Sequence, residues 1–226
     1  MFDVVILVAD PALTQEGFDA LLPLVSKERQ ERIKRFRFFK DAQNALLGDV
    51  LARTEICRAT GLSNNELEFS TNEFGKPFLI NDPCIHFNIS HSGHYIACAI
   101  ADVPVGIDVE LIKPIDMKIA ERFFAPDEKA YITGNQQAAR FFKVWTMKES
   151  RIKWEGKGLS IPLPSFSVFD PGERGRISYY EVFHNDEAIC HVCASKGEKP
   201  NIRHTGTVLL CPSLRSGTRA GGPPVL

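Results

Sequence analysis

Two long helical segments, each running into a glycine, constrain the fold of this chain more than any other feature of its sequence. Apolar residues recur at helical spacing from residue 41 to Gly61 and from residue 137 to Gly156, and strand-like runs surround both segments. Each segment is also followed by Gly-Leu-Ser, at residues 61–63 and 158–160. This repetition predicts an α+β fold built from a pseudo-duplicated chain of two similar halves, with a site at their interface.

The predicted boundary separates an N-terminal half, residues 1–103, from a C-terminal half, residues 104–200. The same patterns predict strands at residues 2–9, 67–70, 85–89, 95–101, 105–111, 166–169, 177–183 and 188–194, and shorter helices at residues 14–25, at 116–124 and from 126. Residues 201–226 are rich in basic, small, glycine and proline residues, so we predict a disordered tail there.

Composition argues against two kinds of partner. Hydrophobic residues make up 44% of the chain, as in a soluble globular protein, and the net charge of −1 speaks against a protein that coats nucleic acid or an anionic membrane. The apolar runs are too short for a transmembrane helix, and the N-terminus lacks the basic region of a signal peptide. We therefore predict a cytoplasmic protein.

The strand at residues 105–111 contains the first candidate site. Asp108 and Glu110 are two residues apart, so their carboxylates project from the same face while Ile107 and Val109 enter the core. Two neighbouring carboxylates repel each other unless solvent or a cation lies between them, and a hard divalent ion is the natural partner. The alternative interpretation is a solvated polar face at a strand end.

The second long helix contains a row of three residues spaced by four, Trp145, Glu149 and Lys153. Glu149 and Lys153 could form a surface ion pair worth only a few tenths of a kcal/mol. Alternatively, Glu149 supplies a third oxygen ligand and Lys153 faces a phosphate. Trp145 in the same row favours a face that is not simply solvated.

Three further segments carry polar or basic groups suited to phosphate. Phe74-Gly75-Lys76-Pro77 is typical of a turn that presents a lysine, and Ser90 and His91 end a strand with a hydroxyl and an imidazole. Residues 27–40 contain seven Lys or Arg and two Glu, a local charge of +5. A solvated helical face explains that charge best, and the interleaved phenylalanines leave nucleic-acid stacking as a weaker alternative.

Taken together, four ordered motifs resemble the phosphopantetheinyl transferases, and most closely the group that activates surfactin and gramicidin synthetases. The resemblance runs from near residue 1 to about residue 195. Its motifs are Phe74-Gly75-Lys76-Pro77, Asn88-Ile89-Ser90-His91-Ser92, Gly106-Ile107-Asp108-Val109-Glu110, and Trp145-Thr146-Met147-Lys148-Glu149-Ser150 continuing through Lys153 to Gly158. It implies a monomer that transfers the phosphopantetheine arm of coenzyme A to a serine of an apo carrier protein, such as a carrier domain of a nonribosomal peptide synthetase.

The resemblance also implies the roles of individual residues. One Mg²⁺ would be held by Asp108, Glu110 and Glu149, and either Glu149 or a metal-bound water would deprotonate the carrier serine. Lys153 would assist the leaving adenosine 3′,5′-bisphosphate. The nucleotide phosphates would be bound by Lys76, Ser90 and His91, with Arg29 and Arg32 nearby. The chain has Asn44 where similar enzymes often carry arginine, which removes one expected phosphate contact.

Residues 113–126 mix apolar and basic side chains and are the predicted docking surface for the carrier. Met117 and Phe124 are seven apart and share one helical stripe, which would either meet the carrier or pack into the core of the protein itself. Two other functions remain open at this stage. One is a metal-dependent phosphoesterase acting on a coenzyme A-like nucleotide, and the other is a non-enzymatic nucleotide or nucleic-acid binding module.

Overall fold

The computed structural model, which describes residues 1–172, 176–195, 197 and 199–206, contains two long helices, a four-stranded mixed sheet, a three-stranded antiparallel sheet and a small two-stranded sheet of β2 and β3. The strands are β1 (Phe2–Val8), β2 (Phe69–Thr71), β3 (Pro77–Leu79), β4 (His86–Ser92), β5 (Tyr95–Ala101), β6 (Val105–Leu111), β7 (Ile177–His184), β8 (Ala188–Ser195) and β9 (Asn201–Gly206). The α-helices are α1 (Gln15–Leu21), α2 (Lys27–Lys34), α3 (Phe39–Thr60), α4 (Lys118–Phe123), α5 (Pro126–Tyr131) and α6 (Gln137–Glu155).

The elements form four layers, in the order α3, first sheet, second sheet, α6. The first sheet has the strand order β4-β5-β1-β9 and the second the order β6-β8-β7. On β1, Val5 and Leu7 face the core under α3, whereas Val4 and Ile6 face the second sheet. Because β1 and β5 are covered on both faces, residues 4–8 and 95–101 are continuously apolar rather than alternating.

The strand β6 alternates because one of its faces meets the first sheet and the other meets α6. Ile107 and Val109 pack between the sheets. Gly106 and Asp108 therefore lie on the other face, toward α6. A Cβ atom added at Gly106 would lie 2.2 Å from the Ser150 carbonyl oxygen, so α6 packs directly against the backbone of β6. This close approach brings the helix row over the carboxylates of the strand.

Several predicted elements differ from the structure. The helix predicted at residues 14–25 ends at Leu21 and continues as a 3₁₀ turn, Leu22–Leu24, which includes Pro23. Residues 166–169 form no strand, because the Phe166 carbonyl and the Val168 amide bond to buried side chains instead. The strands β3 and β9 were not predicted.

The predicted tail boundary is also different. Residues 201–206 form β9, which pairs in parallel with β1 and is tied to α3 where Arg203 Nη2 donates to Glu55 at 2.5 Å. The rest of the predicted tail, residues 207–226, lies outside the described residues.

The two equivalent helix ends are capped by Gly61 and Gly156, so the Gly-Leu-Ser at residues 158–160 begins two residues beyond the equivalent position. No helix in the part of the chain that the structure describes combines the length and apolar character needed to cross a membrane.

We expect Gly106→Ala to destabilise the protein by about 3 kcal/mol, because a methyl group there would overlap the backbone of α6, which cannot move aside like a side chain. Urea denaturation followed by circular dichroism measures the free energy of unfolding. Gly17→Ala on α1 is the matched control, because its added Cβ would meet atoms at ordinary distances of 3.4 Å and beyond. Equal stability of the two variants would contradict the close packing of α6 on β6.

Candidate active site

A ladder of side chains from β4 joins the two halves of the chain. Alternate residues of β4 point toward the free edge of β6, where their side-chain oxygens accept hydrogen bonds from backbone N–H groups. The pairs are Asn88 with Ile107 at 2.9 Å, Ser90 with Val109 at 3.3 Å, and Ser92 with Leu111 at 3.1 Å. An edge strand exposes unpaired backbone donors. The ladder satisfies three of them and fixes β6 relative to the first sheet.

The same hydroxyls orient the two carboxylates predicted on β6. Ser90 Oγ donates to Asp108 Oδ1 at 2.9 Å, and Ser92 Oγ donates to Glu110 Oε2 at 2.8 Å. Each serine therefore accepts from the strand backbone and donates to an acidic side chain of the same strand. Asn88 and Ser92 were not predicted as supporting residues, although the period-two polar pattern of residues 88–92 was a signal for them.

Lys153 from α6 completes the centre of the cluster. Its Nζ donates to Asp108 Oδ1 at 2.7 Å and to Ser90 Oγ at 3.0 Å. Asp108 is only 4% exposed, and its second oxygen, Oδ2, is buried and accepts no hydrogen bond from any described residue. A buried carboxylate oxygen without a donor is costly, so this atom is suited to an additional cationic partner.

Glu149 faces the same cluster. Burial raises the pKa of Glu149, and the charges of Asp108 and Glu110 raise it further, while Lys153 lowers it. Burial, followed by the charge of Asp108, likewise raises the pKa of Glu110. These mutual effects show that the three predicted carboxylates lie near one another and repel.

Within the described ranges, no three His, Cys, Asp or Glu side chains already stand in the arrangement of a metal site. Lys153 occupies one oxygen of Asp108 and supplies the positive charge nearest to it. The donor set nevertheless fits a hard cation, because it offers carboxylate oxygens and one buried oxygen that accepts nothing. Asp108, Glu110 and Glu149 are thus the residues that could hold a divalent ion.

The three residues spaced by four on α6, Trp145, Glu149 and Lys153, do not all face the site. Trp145 stacks on Phe141 at a centroid distance of 5.7 Å and belongs to the aromatic cluster under α4. Next to Glu149 in the sequence, Lys148 instead forms a fully buried ion pair with Glu128, at 2.6 and 2.8 Å. This pair anchors α6 to α5 and was not predicted.

The docking stripe predicted at residues 113–126 lies mainly in the core. Phe124 is 1% exposed and packs against Phe141, and Met117 is half-buried against the same cluster. Around them, Lys118 and Arg122 are exposed. The surface available to a partner here is therefore charged, with exposed Asp116 and Glu121 beside the two basic residues and the edge of Met117 as its apolar part.

Three of the predicted phosphate-binding residues, Arg29, Arg32 and His91, have charged neighbours. Arg29 pairs through Nε with Asp49 of α3, and Arg32 adds a second positive charge near that carboxylate. Partial desolvation lowers the pKa of His91, and the nearby charge of Lys153 lowers it further, followed by a smaller effect of Arg29. Arg29 and Arg32 form a basic surface, and His91, which is near both Arg29 and Lys153, connects that surface to the carboxylate cluster.

Asn44 lies in α3 and is 4% exposed. Its Nδ2 donates to the Gly93 carbonyl at 3.0 Å, at the turn that joins β4 to β5. Its Oδ1 is buried and accepts no hydrogen bond among the described residues. The amide therefore holds the turn that follows the ladder, and it adds no positive charge to the basic surface.

Lys76 does not fit the predicted phosphate contact. Its Nζ donates to three backbone carbonyls, those of Val105 at 3.0 Å, Lys153 at 2.6 Å and Trp154 at 3.3 Å. All three N–H groups of the ammonium are thereby directed at the protein. Ser90 is similar, because its single proton is directed at Asp108.

Comparison with known proteins identifies the family. One family model, described as 4′-phosphopantetheinyl transferase, N-terminal, matches residues 11–102, and another, the 4′-phosphopantetheinyl transferase superfamily, matches residues 104–208. With the mixed helices and strands of the structure, this division confirms the predicted α+β fold of two halves.

Individual relatives agree with the family models. The chain is 46% identical over 162 residues to the 4′-phosphopantetheinyl transferase Sfp of Bacillus subtilis (strain 168), covering 70% of this chain and 72% of that protein. It is 46% identical over 154 residues to the 4′-phosphopantetheinyl transferase gsp of Aneurinibacillus migulanus, covering 67% of this chain and 64% of that protein. A putative 4′-phosphopantetheinyl transferase of Synechocystis sp. is 32% identical over 152 residues, covering 64% of this chain and 61% of that protein. The chain therefore belongs to the 4′-phosphopantetheinyl transferase family.

Proposed function

We propose that this enzyme transfers the 4′-phosphopantetheine arm of coenzyme A to a serine of an apo carrier protein and releases adenosine 3′,5′-bisphosphate. The observation that best supports the proposal is the cluster of Asp108, Glu149 and Lys153 beside a basic surface, in a chain of this family. The proposed partners are carrier domains of nonribosomal peptide synthetases, which would approach the charged surface around α4. The enzyme would act as a cytoplasmic monomer.

In the proposed reaction, the serine oxygen attacks the phosphorus atom that bears the phosphopantetheine arm. A new bond forms between phosphorus and the serine oxygen, and the pyrophosphate bond to the bisphosphate breaks. Glu149 accepts the serine proton, and burial prepares it for this role by raising its pKa. Lys153 donates to an oxygen of the leaving phosphate, because Asp108 and Ser90 use only two of its three N–H groups in the described part of the chain.

Mg²⁺ is the proposed cofactor, held by Asp108, Glu110 and Glu149. When bound, it would neutralise negative charge on the pyrophosphate oxygens, which is the main requirement of phosphoryl transfer. The buried Asp108 Oδ2 supports this assignment, since it is an oxygen ligand with no other described partner.

Incubation with coenzyme A and an apo carrier domain tests the proposed function directly. We expect the carrier to gain the mass of one phosphopantetheine and an equal amount of bisphosphate to appear. Bisphosphate without modified carrier would instead indicate a phosphoesterase. If neither product appears, both enzymatic proposals are contradicted.

We expect Asp108→Asn to lower the transfer rate by at least about 100-fold, because the amide keeps the size of the side chain but removes one metal-binding charge. Steady-state transfer assays over a range of Mg²⁺ concentrations measure the effect, together with calorimetric Mg²⁺ binding. Asp102→Asn is the matched control, because Asp102 is exposed and pairs with the N-terminal amine. Unchanged Mg²⁺ binding in Asp108→Asn would show that Asp108 is not a ligand.

We expect adenosine 3′,5′-bisphosphate to raise the pKa of His91, because phosphate charges favour the imidazolium over the neutral ring. In the free protein this pKa lies below its ordinary value, owing to desolvation and the charge of Lys153. An NMR titration of the His91 ring, with and without the bisphosphate, measures the change. The ring of His204, on β9, serves as the internal control, and equal shifts of both rings would place the nucleotide elsewhere.

A further inference from the structure

The last turn of α6 is capped by residues from the other half of the chain. The final carbonyls of any α-helix have no partner within the helix. Here Lys76 Nζ donates to the carbonyls of Lys153 and Trp154, and Asn72 Nδ2 donates to the carbonyl of Gly156 at 2.8 Å. Three of these terminal carbonyls are thus satisfied by one turn of the N-terminal half.

That turn is built to present Lys76. Asn72 Oδ1 accepts from the backbone N–H groups of Phe74 and Lys76, at 3.0 and 2.9 Å, and Gly75 adopts a φ of 84° that closes the turn. A Cβ atom at Gly156 would lie 2.9 Å from the Lys76 side chain, so the end of α6 and the lysine side chain pack directly against each other. The position of the ammonium is therefore determined from both sides.

The ammonium also reaches the first residue of β6. Its third carbonyl belongs to Val105, three residues before Asp108 on the same strand. Burial lowers the pKa of Lys76 to about 8, so at neutral pH the amine is protonated and has one N–H group for each of the three carbonyls. A positive charge at a helix C-terminus also interacts favourably with the helix dipole.

We infer that Lys76 is a positioning residue, which clamps the end of α6 to the start of β6 and thereby sets the place of the Lys153 side chain beside Asp108. The shortest of its three bonds, 2.6 Å, is to the backbone of Lys153 itself. Lys76 acts from the opposite half and needs no contact with substrate. This inference rests on the proposed function, in which Lys153 stabilises the leaving phosphate.

Lys76→Met tests the inference, because methionine keeps an unbranched side chain and removes all three donors. We expect kcat for carrier modification to fall at least about tenfold while KM for coenzyme A stays within about twofold, because misplacing Lys153 weakens only the transition state. A rise in KM for coenzyme A with kcat unchanged would overturn the inference and show a direct phosphate contact. Lys143→Met is the matched control, since it removes an exposed lysine of α6 that pairs with Glu181, and we expect it to leave both constants unchanged.

Hydrogen exchange in the free enzyme supplies a readout that does not depend on activity. We expect amides of the last turn of α6, residues 152–156, to exchange at least about tenfold faster in Lys76→Met than in the wild type, with the first turn unaffected. Unchanged exchange would contradict the clamp even if transfer is confirmed. If the wild type modifies no carrier, the proposed function fails, and exchange still decides whether the clamp exists.

Asn72→Asp is a second variant for the case in which Lys76→Met does not fold. It keeps the acceptor that shapes the turn but replaces the donor to the Gly156 carbonyl with a carboxylate oxygen. We expect a smaller fall in kcat, again without a change in KM for coenzyme A, and faster exchange at the same helix end. If Asn72→Asp keeps the wild-type kcat and the wild-type exchange rates, the inferred capping of the α6 end is contradicted.

Discussion

The hydrogen bonds between alternate side chains of β4 and the backbone edge of β6 are the interaction on which the rest of the site depends. They join strands of two different sheets and therefore fix the position of the two halves relative to each other. The two serines also donate to Asp108 and Glu110. A single row of short polar side chains thus fixes both the position of β6 and the orientation of its two carboxylates.

The helix that faces these carboxylates is held by contacts along its length. Gly106 allows α6 to lie against the backbone of β6, and the buried pair of Lys148 and Glu128 ties its middle to α5. Lys76 satisfies its final carbonyls from the other half. Buried ion pairs add little net stability but fix geometry strongly when every donor and acceptor is satisfied, as here. A site that depends on distances between charges benefits from such rigid support.

The side chains of the carboxylate cluster include more acidic than basic groups. Three carboxylates face one half-buried lysine, Lys153, and the pKa values of Glu110 and Glu149 rise because burial and neighbouring charge disfavour their ionised forms. Such an arrangement is unfavourable in the protein alone, and the proposed Mg²⁺ and substrate phosphates would relieve it. Nearby, Arg29 pairs with Asp49 and Arg32 adds a second positive charge beside that carboxylate, while the lowered pKa of His91 favours its neutral ring in the free protein.

The sequence by itself determined the architecture and the identities of the central residues. Period-two alternation placed Asp108 and Glu110 on one face, and spacing by four placed Glu149 and Lys153 on one side of a helix, because local backbone geometry decides both. Only the tertiary structure decided what Lys76 and Ser90 touch. Their side chains reach across the two halves to groups 18 or more residues away, and local periodicity contains no information on such distant partners. The same reason explains why β9 could not be predicted, since its pairing with β1 joins the two ends of the described chain.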